Sequence, residues 1–267
     1  MKKYSHKYNV ILDNMDLNNY RIRPVAAIMY LQDAFARFTA TKKMAAYDLF
    51  PENIYWVVGE FNIDFVDTLP FWSEEIMVEV WFSELSKLKI YTDFNIYSNG
   101  KLFSKGYACW FLINSESKRP VKIDDYSARI DVCSEFVLDE HSKFVLPDVK
   151  SKISEINHTI NLSDLDFNNH VNNKSYINIA EMTMDSEYRK THTIKSMRIK
   201  FIKETFMNDC LVCSAYSTEL DNAYVYKIEK DGGSVCEILT VLEPAKSSEN
   251  ILNADLLVKK EDLTGIY

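Results

Sequence analysis

From position 23 onward the apolar residues return at helical spacing. Ala26, Ile28, Met29, Leu31, Ala34, Phe35 and Phe38 form one stripe, which predicts a helix over 23–49. Pro24 falls in its first turn, where the missing N–H has no partner to lose. After a short polar start and this helix, the period changes. Residues 54–65, 75–84, 89–97 and 102–114 are rich in β-branched and aromatic side chains and predict four strands, with Asn99-Gly100 as a hairpin turn between the last two. Over 122–155 the alternation lapses into charged and polar residues around Pro147, the pattern of a connecting segment on the surface. The order then begins again: a strand over 158–162, a helix over 173–188, and strands over 193–203, 210–220, 223–230 and 234–242, with Asp231-Gly232-Gly233 as a turn.

The repetition reaches single residues. Met15-Asp16-Leu17-Asn18-Asn19-Tyr20 stands 150 positions before Leu165-Asp166-Phe167-Asn168-Asn169-His170, and each run leads into the helix of its own half. At that offset Tyr20 faces His170; aligning Phe65 with Phe201 sets Thr68 opposite Glu204, which leaves half one catalytically empty. A long helix across a curved antiparallel sheet, written twice, lets each sheet bury one face on its helix and the two sheets join edge to edge. The expected fold is therefore α+β, two tandem hotdog domains. The expected boundaries are 1–122 for the first, 123–155 for a linker, 156–245 for the second, and 246–267 for a C-terminal tail.

Composition narrows the function. With 267 residues, 47% hydrophobic and 26% charged, the chain has enough apolar material for two cored units. The start MKKYSHKYNV lacks an apolar leader core and no apolar run approaches the roughly 18 residues of a spanning helix, so a cytoplasmic protein is expected. Five cysteines, Cys109, Cys133, Cys210, Cys213 and Cys236, are an odd number in strand-like stretches and read as reduced core residues; no second pair or nearby His completes a zinc set around Cys210 and Cys213. A formal charge of −8 argues against nucleic acid. It also repels an acidic partner, so docking one would need a local basic patch. Candidates are Lys195, Arg198, Lys200 and Lys203, or Arg21 and Arg23 with Lys42 and Lys43.

The densest polar run is Asp164-Leu165-Asp166-Phe167-Asn168-Asn169-His170-Val171-Asn172-Asn173, just before the second helix. As local structure it is a loop with Asn172 or Asn173 as the helix cap. Its chemistry goes further. Free N–H groups at a helix start can hold an oxyanion, and Asp166, Asn168 and His170 at alternate positions can share one side of an extended or turning backbone.

This run, with Tyr176 and Ile177 after it, resembles the D-x-N-x-H-V-N-N-x-x-Y-I signature of the plant and bacterial acyl-acyl carrier protein thioesterases. Ile54-Tyr55-Trp56-Val57-Val58 and Pro70-Phe71-Trp72-Ser73-Glu74-Glu75 resemble that family's first-domain strands, and the likeness covers roughly residues 4–245. It implies hydrolysis of a fatty acyl thioester on acyl carrier protein, in fatty acid biosynthesis, without cofactor or metal. It also implies a catalytic set of Asp166, Asn168, His170 and Glu204. Plant members usually carry a Cys after that Glu, where this chain has Thr205, which leaves a carboxylate mechanism in place of a Cys/His one. In that mechanism Glu204, alone or through His170, activates water, and Asp166 orients the others or attacks directly. Half one, through Met29, Phe35, Phe38, Met44, Tyr55, Trp56 and Val58, is expected to shape the acyl tunnel. Competing expectations on the same fold are an acyl-CoA thioesterase, a 3-hydroxyacyl dehydratase, and a non-catalytic acyl-binding protein; acyl length and pairing into a homodimer stay open.

Overall fold

The structure, a computed structural model, describes residues 2–16, 21–138, 141–166 and 169–245. Its first half runs β1 (Lys3–Asn9), α1 (Pro24–Thr41), α2 (Ala46–Leu49), β2 (Ile54–Phe65), β3 (Glu75–Leu85), β4 (Ile90–Ser98) and β5 (Lys101–Asn114). Its second half runs β6 (Val149–Thr159), α3 (Asn173–Met182), α4 (Ser186–Thr191), β7 (His192–Phe201), β8 (Cys210–Thr218), β9 (Ala223–Lys230) and β10 (Gly233–Pro244). All ten strands form one antiparallel sheet in the order β1-β3-β4-β5-β2-β7-β10-β9-β8-β6. The order reads the same in both halves from the outside inward. The halves meet where β2 pairs with β7, Glu60 opposite Lys200 through Asp64 opposite Ser196. Among the described residues no helix is long and apolar enough to cross a membrane.

Local chemistry explains where elements stop. The stripe that predicted one helix over 23–49 is cut at Lys43, which takes a left-handed φ of 55°. The Lys43 N–H then reaches the Ala40 carbonyl and the Met44 N–H the Thr39 carbonyl, a Schellman closure that ends α1 and starts α2 afresh. The predicted helix over 173–188 is likewise two, α3 and α4. Both outer strands were hard to see. β1 falls in what reads as a polar start, and β6 begins at Val149 rather than 158. Edge strands carry little hydrophobic alternation because they bury only part of one face.

α1 lies on the half-one sheet through an aromatic cluster. Phe35 stacks on Trp110 at 3.8 Å and meets Trp56 at 5.1 Å, while Phe38 meets Phe82 at 4.7 Å. Trp81, on the other face of β3, donates to the Glu135 carbonyl at 2.9 Å, because the segment after β5 crosses that outer face. There His141 is wedged between Asp93 (2.7 Å) and Glu84 (2.8 Å) and stacked on Tyr91. Asp93 is wholly buried. Burial pulls the His141 pKa down, the two carboxylates outweigh it, and the net direction is up.

Candidate active site

The motif folds as a tight loop closed on itself. Leu165 bridges Val171, the Asp166 N–H donates to the His170 carbonyl at 2.8 Å, and the His170 N–H donates to Asp166 Oδ1 at 3.2 Å. Asn169 supplies the turn with φ 61°, a conformation Asn tolerates. The loop ends in α3, where Asn172 is the cap: its Oδ1 accepts from the Lys174 N–H at 3.0 Å, and its carbonyl from the Ser175 N–H at 2.8 Å. Asp164, buried beneath, takes the Asn172 N–H and the Ser175 hydroxyl on its carbonyl and the His158 Nε2 on its carboxylate.

A second segment comes alongside after β7. The Val171 N–H donates to the Thr205 carbonyl at 3.1 Å, which sets Glu204 beside the loop. His170 Nδ1 lies 3.5 Å from Glu204 Oε1, and both side chains are partly exposed. Phe206 meets the His170 ring edge-on at 5.3 Å. Across the seam between halves, the Tyr55 hydroxyl donates to the same Glu204 oxygen at 3.2 Å. Burial, and then the Glu204 charge, push the Tyr55 pKa up to about 12. Thr205 does not border this cavity: it is fully buried, and its hydroxyl is 2.7 Å from the buried Tyr176 hydroxyl.

Asp166, His170 and Glu204 border one cavity of about 150 Å³, with Tyr55, Trp56 and Val58 from half one and Asn173 at the start of α3. Tyr55 and His170 also border a second cavity of about 170 Å³, with Phe50 and Lys118 on its wall. Asn168 lies outside the described residues. A larger cavity, about 530 Å³, sits at the other end of α3 among Ile153, Met184, Tyr188 and Tyr226, and contains none of the motif residues. Size and chemistry therefore point to different cavities: the larger one lacks the motif residues, and the smaller one brings carboxylates and an imidazole to a helix start. The half-one residues expected to shape a tunnel divide. Tyr55, Trp56 and Val58 reach the motif cavity, Phe35, Phe38 and Met44 are close-packed core behind them, and Met29 is half-buried on α1 and does not border that cavity. Of the basic residues picked out as docking candidates, Lys203 borders the motif cavity. Arg23 is committed to Glu181 and Asn178 on α3, Lys42 to Asp131, and Arg198 to Ser142.

Half one has the same backbone frame with different chemistry. Met15 bridges Ile22, the Asp16 N–H donates to the Arg21 carbonyl, and the Ile22 N–H to the Pro70 carbonyl. These bonds match those of Leu165, Asp166 and Val171, and they pair His170 with Arg21. Tyr20, the counterpart at constant offset, lies outside the described residues; half one's loop holds one residue more, which moves the match by one. The post-strand segment is also longer by one. Val66 and Asp67 bond the Phe103 carbonyl as Ile202 and Lys203 bond that of Val235, so Thr68 and Leu69 together fill the place of Glu204 before the Pro70 and Thr205 carbonyls. Arg21 donates to the Leu69 carbonyl at 2.6 Å. An arginine on a backbone carbonyl offers neither an acid nor a base near neutrality.

No group of three or more metal-ligating side chains occurs among the described residues, and the five cysteines are free, four buried and Cys210 exposed. No signal in the sequence singled out Tyr55 as a neighbour of Glu204, because the two are brought together only by the β2–β7 seam.

Residues 1–130 match the model of the acyl-ACP thioesterase N-terminal domain and residues 148–259 that of the acyl-ACP thioesterase C-terminal domain. A chloroplastic acyl-acyl-carrier-protein hydrolase of Cuphea viscosissima is 26% identical over 235 residues, 85% of this chain and 48% of its own length. The chain spans about half the length of the curated relatives it matches. Among solved structures, an acyl-ACP thioesterase from Bacteroides thetaiotaomicron superposes with a TM-score of 0.78 at 21% identity, over 90% of this chain and 98% of that one. A putative oleoyl thioesterase from Lactobacillus plantarum gives 0.81 at 18% identity, over 92% and 97%. At those identities the superpositions speak for the fold.

Proposed function

This chain belongs to the acyl-ACP thioesterase family, and from that premise we propose that it hydrolyses the thioester of a fatty acyl group on acyl carrier protein, releasing free fatty acid and holo-carrier in fatty acid biosynthesis. The observation that carries the reading is the His170–Glu204 pair, 3.5 Å apart beside Asp166 at the start of α3, where the matching frame of half one holds Arg21 on a carbonyl.

We read each half as one hotdog domain, 1–122 and 156–245, joined by 123–155 and followed by a tail at 246–267; the mirrored strand order supports this. The catalytic set is Asp166, Asn168, His170 and Glu204, with Asn168 assigned on the motif alone. Water attacks the thioester carbonyl carbon while Glu204, directly or through His170, takes its proton. The carbonyl oxygen becomes an oxyanion at the start of α3. Asn173, the first residue of α3, borders the cavity, and within the described residues its N–H has no protein acceptor, which supports it as the donor to that charge. Collapse breaks the C–S bond, and the thiolate leaves with the proton held on His170 or Glu204. Asp166, whose carboxylate holds the His170 N–H, keeps the loop closed in the hydrolytic version of this mechanism. The acyl chain lies toward half one, against Trp56 and Val58, with the Phe35–Trp110 stack as the floor.

The test is a comparison of free-thiol release and fatty acid formation from one acyl group presented on acyl carrier protein and on coenzyme A. Faster turnover on the carrier protein is expected. Preference for coenzyme A would replace the carrier in this proposal, and water loss with the thioester intact would replace the reaction. In the alternative, Asp166 attacks the carbonyl carbon, the thiolate leaves, and water cleaves the resulting mixed anhydride; label from oxygen-18 water entering the enzyme carboxylate in a single turnover would support that route.

A further inference from the structure

We propose that Tyr55, a half-one residue, is a positioning residue for Glu204: its hydroxyl fixes one carboxylate oxygen so that the other is presented to the attacking water. The inference rests on the hydrolase reading above and adds a part from the half that carries no acid or base of its own.

Three observations carry it. The Tyr55 hydroxyl and His170 Nδ1 both meet Glu204 Oε1, at 3.2 Å and 3.5 Å. Oε2 takes no hydrogen bond or ion pair among the described residues, so the Tyr55 hydroxyl bonds one oxygen, with the imidazole beside it, and the second is left to accept a proton. Next, Tyr55 and His170 both border the two cavities, which puts the tyrosine beside the space proposed for the acyl thioester. Finally, the fold holds the tyrosine there. Lys118 lies over its ring at 5.5 Å and the His170 ring is 6.2 Å away. Upstream of the β2–β7 pairing, β2 carries a bulge between Val58 and Glu60, which bends a strand and re-aims its side chains. Gly59 is the residue left over at that bulge, and a Cβ there would fall 2.5 Å from the Phe111 ring. With its pKa pushed up to about 12, the hydroxyl keeps its proton and stays a donor across the working range.

A carboxylate free to rotate samples many orientations, and a proton acceptor misplaced by about an ångström can lose on the order of a hundredfold in rate. A single hydrogen bond to a charged group corresponds to roughly tenfold or more. Tyr55 therefore acts on turnover and not on substrate affinity.

The experiment is steady-state kinetics on the acyl-ACP that wild type turns over fastest, for wild type, Tyr55→Phe, Glu204→Gln and the double variant, with melting temperatures measured alongside. Tyr55→Phe keeps the ring, its packing and its contact with Lys118. The expected result is a kcat lower by about tenfold with KM within about twofold, and no further loss on adding Tyr55→Phe to Glu204→Gln. An unchanged kcat in Tyr55→Phe with active wild type, a change confined to KM, or an equal loss in the Glu204→Gln background overturns this inference and leaves the hydrolase reading standing. Wild type that releases no thiol from any acyl-ACP overturns the hydrolase reading itself.

Discussion

The two halves share a backbone frame and part ways at two positions. In each, a closed loop leads into a helix and donates an N–H to the carbonyl of a segment that follows the central strand. In half two the loop is short, Asn172 caps the helix, and His170 meets Glu204. In half one the loop and the facing segment are each one residue longer, Pro24 begins a helix without a side-chain cap, and Arg21 closes on the Leu69 carbonyl. Two loops can therefore share one hydrogen-bond skeleton and present different side chains. What half one keeps is mass and shape: an 18-residue helix against 10 in half two, an aromatic core, and the tyrosine that reaches across the seam.

Five substitutions press on this contrast, beginning with the largest expected effect. Glu204→Gln, which keeps size and removes the base, is expected to lower kcat by about 10²–10⁴-fold without loss of folded protein, checked by thiol release and circular dichroism. Removing His170 as well should add little, since the two act as a unit. His141→Phe tests a contact peculiar to half one. It leaves Asp93 buried without its cation and should cost about 3 kcal/mol in denaturant unfolding. Because the imidazole pKa is raised in the folded state, its stabilisation is complete below the unfolded value near 6.5 and fades as pH climbs through the raised one. The variant's deficit should therefore be largest near pH 6 and shrink toward pH 9. Thr205→Val leaves the buried Tyr176 hydroxyl without its partner and should cost about 1–3 kcal/mol while changing kcat far less than Glu204→Gln, as expected for a residue behind the cavity. Asn172→Ala removes a cap that half one never had, and about 1 kcal/mol of stability is expected to go with it.

Much of this was legible in the residues. The strands of both halves announced themselves through β-branched and aromatic runs, because central strands bury side chains on both faces. β1 and the start of β6 did not, because edges face water on one side and stay polar. The break at Lys43 was invisible to periodicity: the apolar stripe continues through Met44 and Leu49 in a second helix, and only the left-handed residue between them ends the first. At the site, the crowding of polar residues over 164–173 disclosed a helix-start loop capped by Asn172 or Asn173, and the resemblance supplied Glu204, which looks like an ordinary strand-end residue on its own. Constant-offset alignment misjudged the half-one counterparts, since one inserted residue in each segment moved the match from Tyr20 to Arg21 and spread that of Glu204 over Thr68 and Leu69. Tyr55 came from no local pattern, since its partner is 149 residues away.

The most direct test sets the two matched positions against each other. Initial rates of thiol release from acyl-ACP should be measured per folded molecule for wild type, His170→Ala and Arg21→Ala. A fall of about a hundredfold or more is expected for His170→Ala and a rate within about threefold of wild type for Arg21→Ala. Equal losses at the two positions, or full activity in His170→Ala, would contradict the assignment of the reacting acid and base to half two.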